Sequence, residues 1–114
     1  MYPISAVEIE YSLFALNIEF EQIKLLKTCR ELGVAVIAYS PLGRGVLTGA
    51  YRSLDDFDAS DMRGSLPKFS PENLPKNLKM IEKFAAFVEK KGSKPGQLAL
   101  AWLMAQGDDI FPIP

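Results

Sequence analysis

Seven consecutive residues, Tyr39-Ser40-Pro41-Leu42-Gly43-Arg44-Gly45, carry the densest chemistry in this sequence. Gly43 and Gly45 have no Cβ, so backbone N–H groups there can come close to a phosphate. Arg44 offers a positive charge and Ser40 a hydroxyl. Tyr39 offers a flat face on which an aromatic ring can stack. The plainer alternative is a tight turn after a strand. Two familiar phosphate loops are excluded by spacing. No Gly-Lys-Ser/Thr follows four variable residues, and Gly43-Arg44-Gly45-Val46-Leu47-Thr48-Gly49 neither matches GxGxxG nor opens an unbroken helix.

Other reactive groups are few. Glu8 and Glu10 lie two apart and face the same side of a strand. Paired carboxylates can serve as acid and base at a glycosidic bond, but adjacent acids on one strand do not flank a bond from both sides. The sequence contains no histidine. That removes Ser–His–Asp and Cys–His catalysis, HExxH metal sites and any histidine base from these residues. Cys29 is the only cysteine, so no internal disulfide or multi-cysteine zinc site forms. It reads as a buried or half-buried helix residue with no base to activate it, and no metal site is expected. Of the 114 residues, 48% are hydrophobic and 24% charged, and 13 basic against 14 acidic side chains leave a net charge of −1. That balance suits one globular domain and points neither to nucleic acid nor to an anionic membrane. The longest apolar runs, Val34–Tyr39 and Leu98–Met104, fall far short of the ~20 residues that span a bilayer. A reducing, cytoplasmic setting is expected.

These residues need elements to hold them. Ile4–Tyr11 alternates Val7, Ile9 and Tyr11 against Ala6, Glu8 and Glu10, and so reads as a strand with one apolar face. Leu16–Leu32 has helical spacing, with Phe20, Ile23, Leu26 and Leu32 as its apolar stripe and Gly33 as its C-terminal stop. Val34–Ser40 is almost unbroken apolar, as for a parallel strand buried on both faces. Together they predict a βαβ unit with the Tyr39–Gly45 stretch just past a strand's C-terminal end, where open α/β sheets and (β/α)8 barrels bind ligands. Pro41–Ser70 has no sustained period and is long for a connection, as functional loops are. Ser70-Pro71-Glu72 reads as a helix start. Leu74, Leu78, Ile81, Ala85 and Val88 form the stripe, and Gly92 ends it. Ser93-Lys94-Pro95 opens another helix through Leu98–Ala105, whose Leu98–Met104 face with Trp102 reads as core. Asp109–Pro114 reads as a third strand. The order β-α-β-loop-α-α-β is α/β with a parallel sheet. A strand this close to each end suggests a piece of a larger α/β protein, with open sheet edges through which the chain would self-associate.

AVEIEYSLF, ELGVAVIAYSPLGRGVLTG, FSPENLPKNL, KPGQLALAWLMAQG and DIFPIP, in this order, resemble the aldo-keto reductases, closest to their microbial, especially fungal, pyridoxal-reductase-like branch. The resemblance covers essentially the whole chain. It implies part of a TIM (β/α)8 barrel, from its sixth strand (Ile4–Tyr11) through its seventh (Val34–Tyr39) to its eighth (Ile110–Ile113). It implies NADP(H) as cofactor and small carbonyl compounds as substrates of the full-length protein. By similarity, Tyr39 stacks on the nicotinamide, and Ser40, Pro41, Leu42, Gly43 and Arg44 line the ribose and pyrophosphate side. Arg63, in DMRGSLPKF, matches an arginine near the phosphates, and Pro41–Ser70 folds over the cofactor. Glu8 stands where many members have a glutamine that holds the nicotinamide amide; an ionised Glu8 accepts hydrogen bonds but cannot donate. The family's Asp-Tyr-Lys-His catalytic set belongs to the first half of the barrel, and Tyr11, Tyr39 and Tyr51 are not substitutes for its tyrosine. Residues 1–114 are therefore expected to supply part of a cofactor site and no catalytic residue. A non-catalytic product that binds NADP weakly or serves only in interactions is the alternative.

Overall fold

The computed structural model describes residues 2–58 and 60–114. The chain forms two compact units, Met1–Gly43 with Ala99–Pro114, and Arg44–Leu98.

The first unit is built on a three-stranded sheet of β1 (Ala6–Glu10), β2 (Ala35–Tyr39) and β3 (Ile110–Ile113), in that spatial order and parallel throughout. The predicted βαβ unit is present, with α1 (Leu25–Leu32) between β1 and β2. The alternation in β1 sets its faces. Val7 and Ile9 pack against a core of Tyr11, Ile18, Leu26, Cys29, Val36, Ala38, Leu103 and Ile110. Leu103 comes from α3 (Pro95–Met104), whose Trp102 also packs on this core, as the sequence indicated. β2 was expected to be buried on both faces. Val36 and Ala38 are fully buried, whereas Ala35, Ile37 and Tyr39 on the opposite face are only half-buried. Phe111 and Ile113 share that second face by register and are exposed.

The predicted helix Leu16–Leu32 is shorter than its apolar spacing suggests. Asn17–Glu19 forms a single 3-10 turn, Phe20 is extended, and Lys24 adopts a left-handed conformation (φ 53°) immediately before α1. The Tyr11 hydroxyl donates to Glu19, which seats the 3-10 turn against the end of β1 and keeps it off the α1 axis. Consequently Leu26 and Cys29 face the core, while Phe20, Ile23 and Leu32 are exposed, Leu32 at 72%. Gly33 closes α1 as predicted: its N–H donates to the Arg30 carbonyl and that of Val34 to Cys29. Arg30 then ties the last turn of α1 to the approach of β3, through Asp109 (2.9 Å) and the Gln106 carbonyl (2.6 Å).

In the second unit α2 (Leu74–Lys91) buries Leu74, Ile81 and Val88 on one face; Leu78 is half-buried and Ala85 exposed. The helix begins one turn later than Ser70-Pro71-Glu72 predicts. A start at Pro71 would place Pro75, which has no N–H, inside the helix; a start at Leu74 puts it in the first turn, where none is needed. Ser70 instead closes a preceding turn, its hydroxyl accepting from the Asn73 N–H. The long connection contains short 3-10 turns at Leu54–Asp56, Met62–Ser65 and Pro67–Phe69, after a stretch, Gly43–Thr48, that is kinked at Arg44 and Gly45. Among the described residues no helix is long and apolar enough to cross a membrane, and no cluster of ligating side chains could hold a metal ion.

Leu103→Ala removes a fully buried side chain and is expected to destabilise the native protein by about 2–5 kcal/mol in a denaturant titration, whereas Leu32→Ala should fall within about 0.5 kcal/mol. Burial first, then the bond to Glu19, pushes the Tyr11 phenol well above its ordinary value of 10.0. The unfolded chain thus loses this proton first, so its contribution is intact below pH 10 and declines as the pH rises above it. Tyr11→Phe should flatten the alkaline limb of a stability–pH curve.

Candidate functional site

Tyr39 is the last residue of β2, and its half-buried side chain lies on the sheet face opposite the core. The register pairs Glu10 with Tyr39 and Glu8 with Ile37, so Glu8, Glu10, Ile37 and Tyr39 share that face. Glu8 is exposed there. The structure therefore brings Glu8 and Tyr39 onto one surface, as the alternation required. Beyond Tyr39 the chain turns sharply. Ser40 adopts φ 50° and Gly43 φ 59°, and the Gly43 N–H donates to the Ser40 carbonyl at 2.9 Å. Pro41 is fully buried and anchors the turn; Leu42 is half-buried.

The next two residues keep the left-handed backbone, Arg44 at φ 56° and Gly45 at φ 94°. A left-handed conformation costs a non-glycine residue roughly 1–2 kcal/mol, so Ser40 and Arg44 are strained positions, of the kind that cluster at binding sites. Gly45 admits no side chain. A Cβ there would meet Tyr51 Cε2 at 2.9 Å and Arg63 Nη1 at 3.3 Å.

Arg63 is the hub of this second unit's loop. Its Nη1 donates to the Arg44 carbonyl (2.8 Å), its Nη2 to the Tyr51 hydroxyl (3.0 Å), and its Nε to Asp61 (2.9 Å). The guanidinium lies 4.2 Å from the Tyr51 ring centre and 4.8 Å from that of Phe57. The Tyr51 and Phe57 rings are stacked, and Phe57 meets buried Phe69 edge to face. Asp61 also accepts the backbone N–H of Arg63 and so caps the Met62–Ser65 turn. These bonds, the side-chain one first, hold the Asp61 carboxyl down at about 2, and the same pairing raises the Arg63 guanidinium further above its ordinary value.

Sequence reasoning singled out Arg63 but missed the set that seats it. Asp61, two residues before an arginine, was the readable signal; Tyr51 and Phe57 carried none, because no period links them across an irregular loop. Cys29 is buried, as expected. Two clefts open elsewhere: one of about 480 Å³ beside Tyr11, Glu19 and Arg30, and one of about 200 Å³ beside Tyr51, Arg52 and Ile81. Neither is lined by residues 39–43. Chemically, the chain offers a stacking face at Tyr39, a carboxylate at Glu8, and a glycine-bearing left-handed run with an arginine within it.

The aldo/keto reductase family model matches residues 1–114. The chain is 51% identical over its full length to the NADP(+) aldo-keto reductase yakc of Schizosaccharomyces pombe and 52% identical to the aldo-keto reductase str7 of Strobilurus tenacellus. It spans about a third of the length of these relatives, 34% in each case. Among solved structures, the glycerol dehydrogenase of Gluconobacter oxydans superposes with a TM-score of 0.84 at 28% identity, over 98% of this chain and 33% of that one. An aldo/keto reductase from Klebsiella pneumoniae, in complex with NADP and acetate, shares the fold at a TM-score of 0.57 and 22% identity, over 96% of this chain and 28% of its own. The three parallel strands with their helices fit as part of the TIM barrel of these proteins, and the chain belongs to the aldo/keto reductase family.

Proposed function

We propose that residues 1–114 are the C-terminal portion, strands six to eight, of an NADP-dependent aldo-keto reductase domain, with residues 39–70 as its cofactor loop. Bound NADP(H) supplies hydride chemistry, through which the whole protein reduces small aldehydes and ketones. Tyr39 presents its ring face to the nicotinamide. Ser40, Pro41, Leu42 and Gly43 line the ribose and pyrophosphate, and Arg44 and Arg63 stand on the phosphate side. Glu8 accepts from the nicotinamide amide. No residue of this chain is assigned the proton transfer. Tyr11 is bonded to Glu19 with its phenol pushed far up, Tyr51 holds Arg63, and Tyr39 serves as a stacking face. The proton donor belongs to a part of the barrel outside these residues.

One observation carries this reading: a left-handed Ser40, then left-handed Gly43, Arg44 and Gly45 after Pro41-Leu42, directly following a parallel strand. A turn of this kind at the C-terminal end of a parallel strand is where α/β proteins bind ligands, and glycine lets the chain take that conformation without a Cβ in the way. Strain at two non-glycine positions is what a binding turn tolerates and a mere connection avoids. That the fission-yeast relative is an NADP(+) aldo-keto reductase supports the cofactor. A second reading, a non-catalytic module that pairs through its sheet, is favoured by the exposed Phe111 and Ile113 on the second sheet face.

Titrating the native protein with NADPH, followed by cofactor fluorescence, tests the site. Tyr39→Ala is expected to raise Kd about tenfold, the equivalent of ~1.4 kcal/mol of lost stacking. An unchanged Kd rejects the assignment. NADPH oxidation with small aldehydes should be measurable in the native protein; absence of turnover across a panel of aldehydes favours the second reading.

A further inference from the structure

We propose that Arg63 is a positioning residue, which with Asp61 and Tyr51 locks the left-handed Arg44–Gly45 turn by gripping the Arg44 carbonyl. The inference rests on the cofactor reading above and assigns Arg63 a different task from contact with phosphate.

The geometry carries it. Asp61 takes Nε, at 2.9 and 3.1 Å to its two oxygens, and also Nη2. Tyr51 accepts from Nη2 and the Arg44 carbonyl from Nη1. Three of the three guanidinium nitrogens thus have protein partners, and two aromatic rings lie within 5 Å of its carbon, Tyr51 at 4.2 Å and Phe57 at 4.8 Å. The Arg63 and Asp61 side chains are only 21% and 18% exposed. An approaching phosphate would have to compete with a carboxylate already in a forked pair, the strongest geometry a guanidinium makes. The Arg44 carbonyl, in contrast, sits at the point where the backbone is strained. A peptide unit is planar, so fixing that carbonyl fixes the plane joining Arg44 to Gly45. Gly45 rests flush on the Tyr51 ring and leaves no space for a Cβ, so the turn is clamped from two directions. The direction in which Arg44 leaves the backbone follows from that clamp.

The two roles for Arg63 give opposite signs in one experiment. NADPH affinity of the native protein is measured for Asp61→Asn, Tyr51→Phe, Arg63→Lys and Arg44→Met. If Arg63 binds phosphate directly, Asp61→Asn frees positive charge and tightens binding, Tyr51→Phe changes nothing, and Arg63→Lys keeps most of the affinity. If Arg63 holds the turn, Asp61→Asn weakens NADPH at least fivefold, Tyr51→Phe weakens it about two- to threefold, and Arg63→Lys loses nearly as much as Asp61→Asn, since an ammonium cannot fork. Tyr51→Phe, which removes one hydroxyl, keeps the test open if the Asp61 variant folds poorly. Faster amide hydrogen exchange at residues 44–46 in these variants is the matching expectation. Tighter or unchanged binding in both Asp61→Asn and Tyr51→Phe overturns the proposal. If Arg44→Met and Tyr39→Ala also leave the affinity unchanged, the cofactor reading itself fails; if those two weaken binding and the Asp61 and Tyr51 variants do not, only the positioning role falls.

Discussion

The parallel pairing of β1 with β2 decides which side chains can meet. With Val7 opposite Val36 and Ile9 opposite Ala38, every odd residue of β1 is committed to the helix-covered face and every even one to the other. A slip of one residue would exchange Val7 and Ile9 for Glu8 and Glu10 and set two carboxylates among Leu26, Cys29 and Leu103. The cost of desolvating them makes the register effectively unique. Tyr39 lands on the second face because Val36 and Ala38 must land on the first.

From that constraint the outer layer follows. α1 and α3 present Leu26, Cys29 and Leu103 to the covered face, and Arg30 reaches the Gln106 carbonyl and Asp109 to fix where β3 begins. The end of β2 is free to be irregular because the strand behind it is not. Ser40 and Arg44 hold left-handed angles that their own side chains disfavour; Ser40 precedes the buried Pro41 in the first unit, and the Arg44 carbonyl is held by Arg63 in the second.

Much of this was legible from residue order alone. Period-two alternation in β1, the apolar run of β2, the glycine stop at Gly33 and the three-and-four spacing of Leu74, Leu78, Ile81, Ala85 and Val88 each reflect one local physical rule. They gave the element order and the place of Tyr39–Gly45. The failures are as informative. Residues 16–24 carry helical spacing, yet the turn there is set by Tyr11 reaching Glu19, a contact between residues eight apart that no period encodes. The start of α2 was misjudged because two prolines compete, and only the second sits where a missing N–H is harmless. The Asp61–Arg63–Tyr51 set lay hidden in a loop without periodicity. Half-burial of Ile37 and Tyr39 was masked by composition: an apolar strand looks the same whether one face or both are covered.

The order in which the sheet is threaded has a kinetic side. β1 and β2 join across roughly 30 residues of chain, whereas β2 and β3 join across roughly 75, because the whole of Arg44–Leu98 is inserted between them. In entropy the difference is small, under about 1 kcal/mol, since closure grows only with the logarithm of length. In time it matters more, because distant pairings form late. Until Ile110–Ile113 arrives, the edge of β2 is an open template for any strand of similar sequence, including that of another molecule under synthesis nearby. The span from Arg44 to Leu98 therefore sets how long this protein is exposed to strand exchange each time it folds, quite apart from anything it binds.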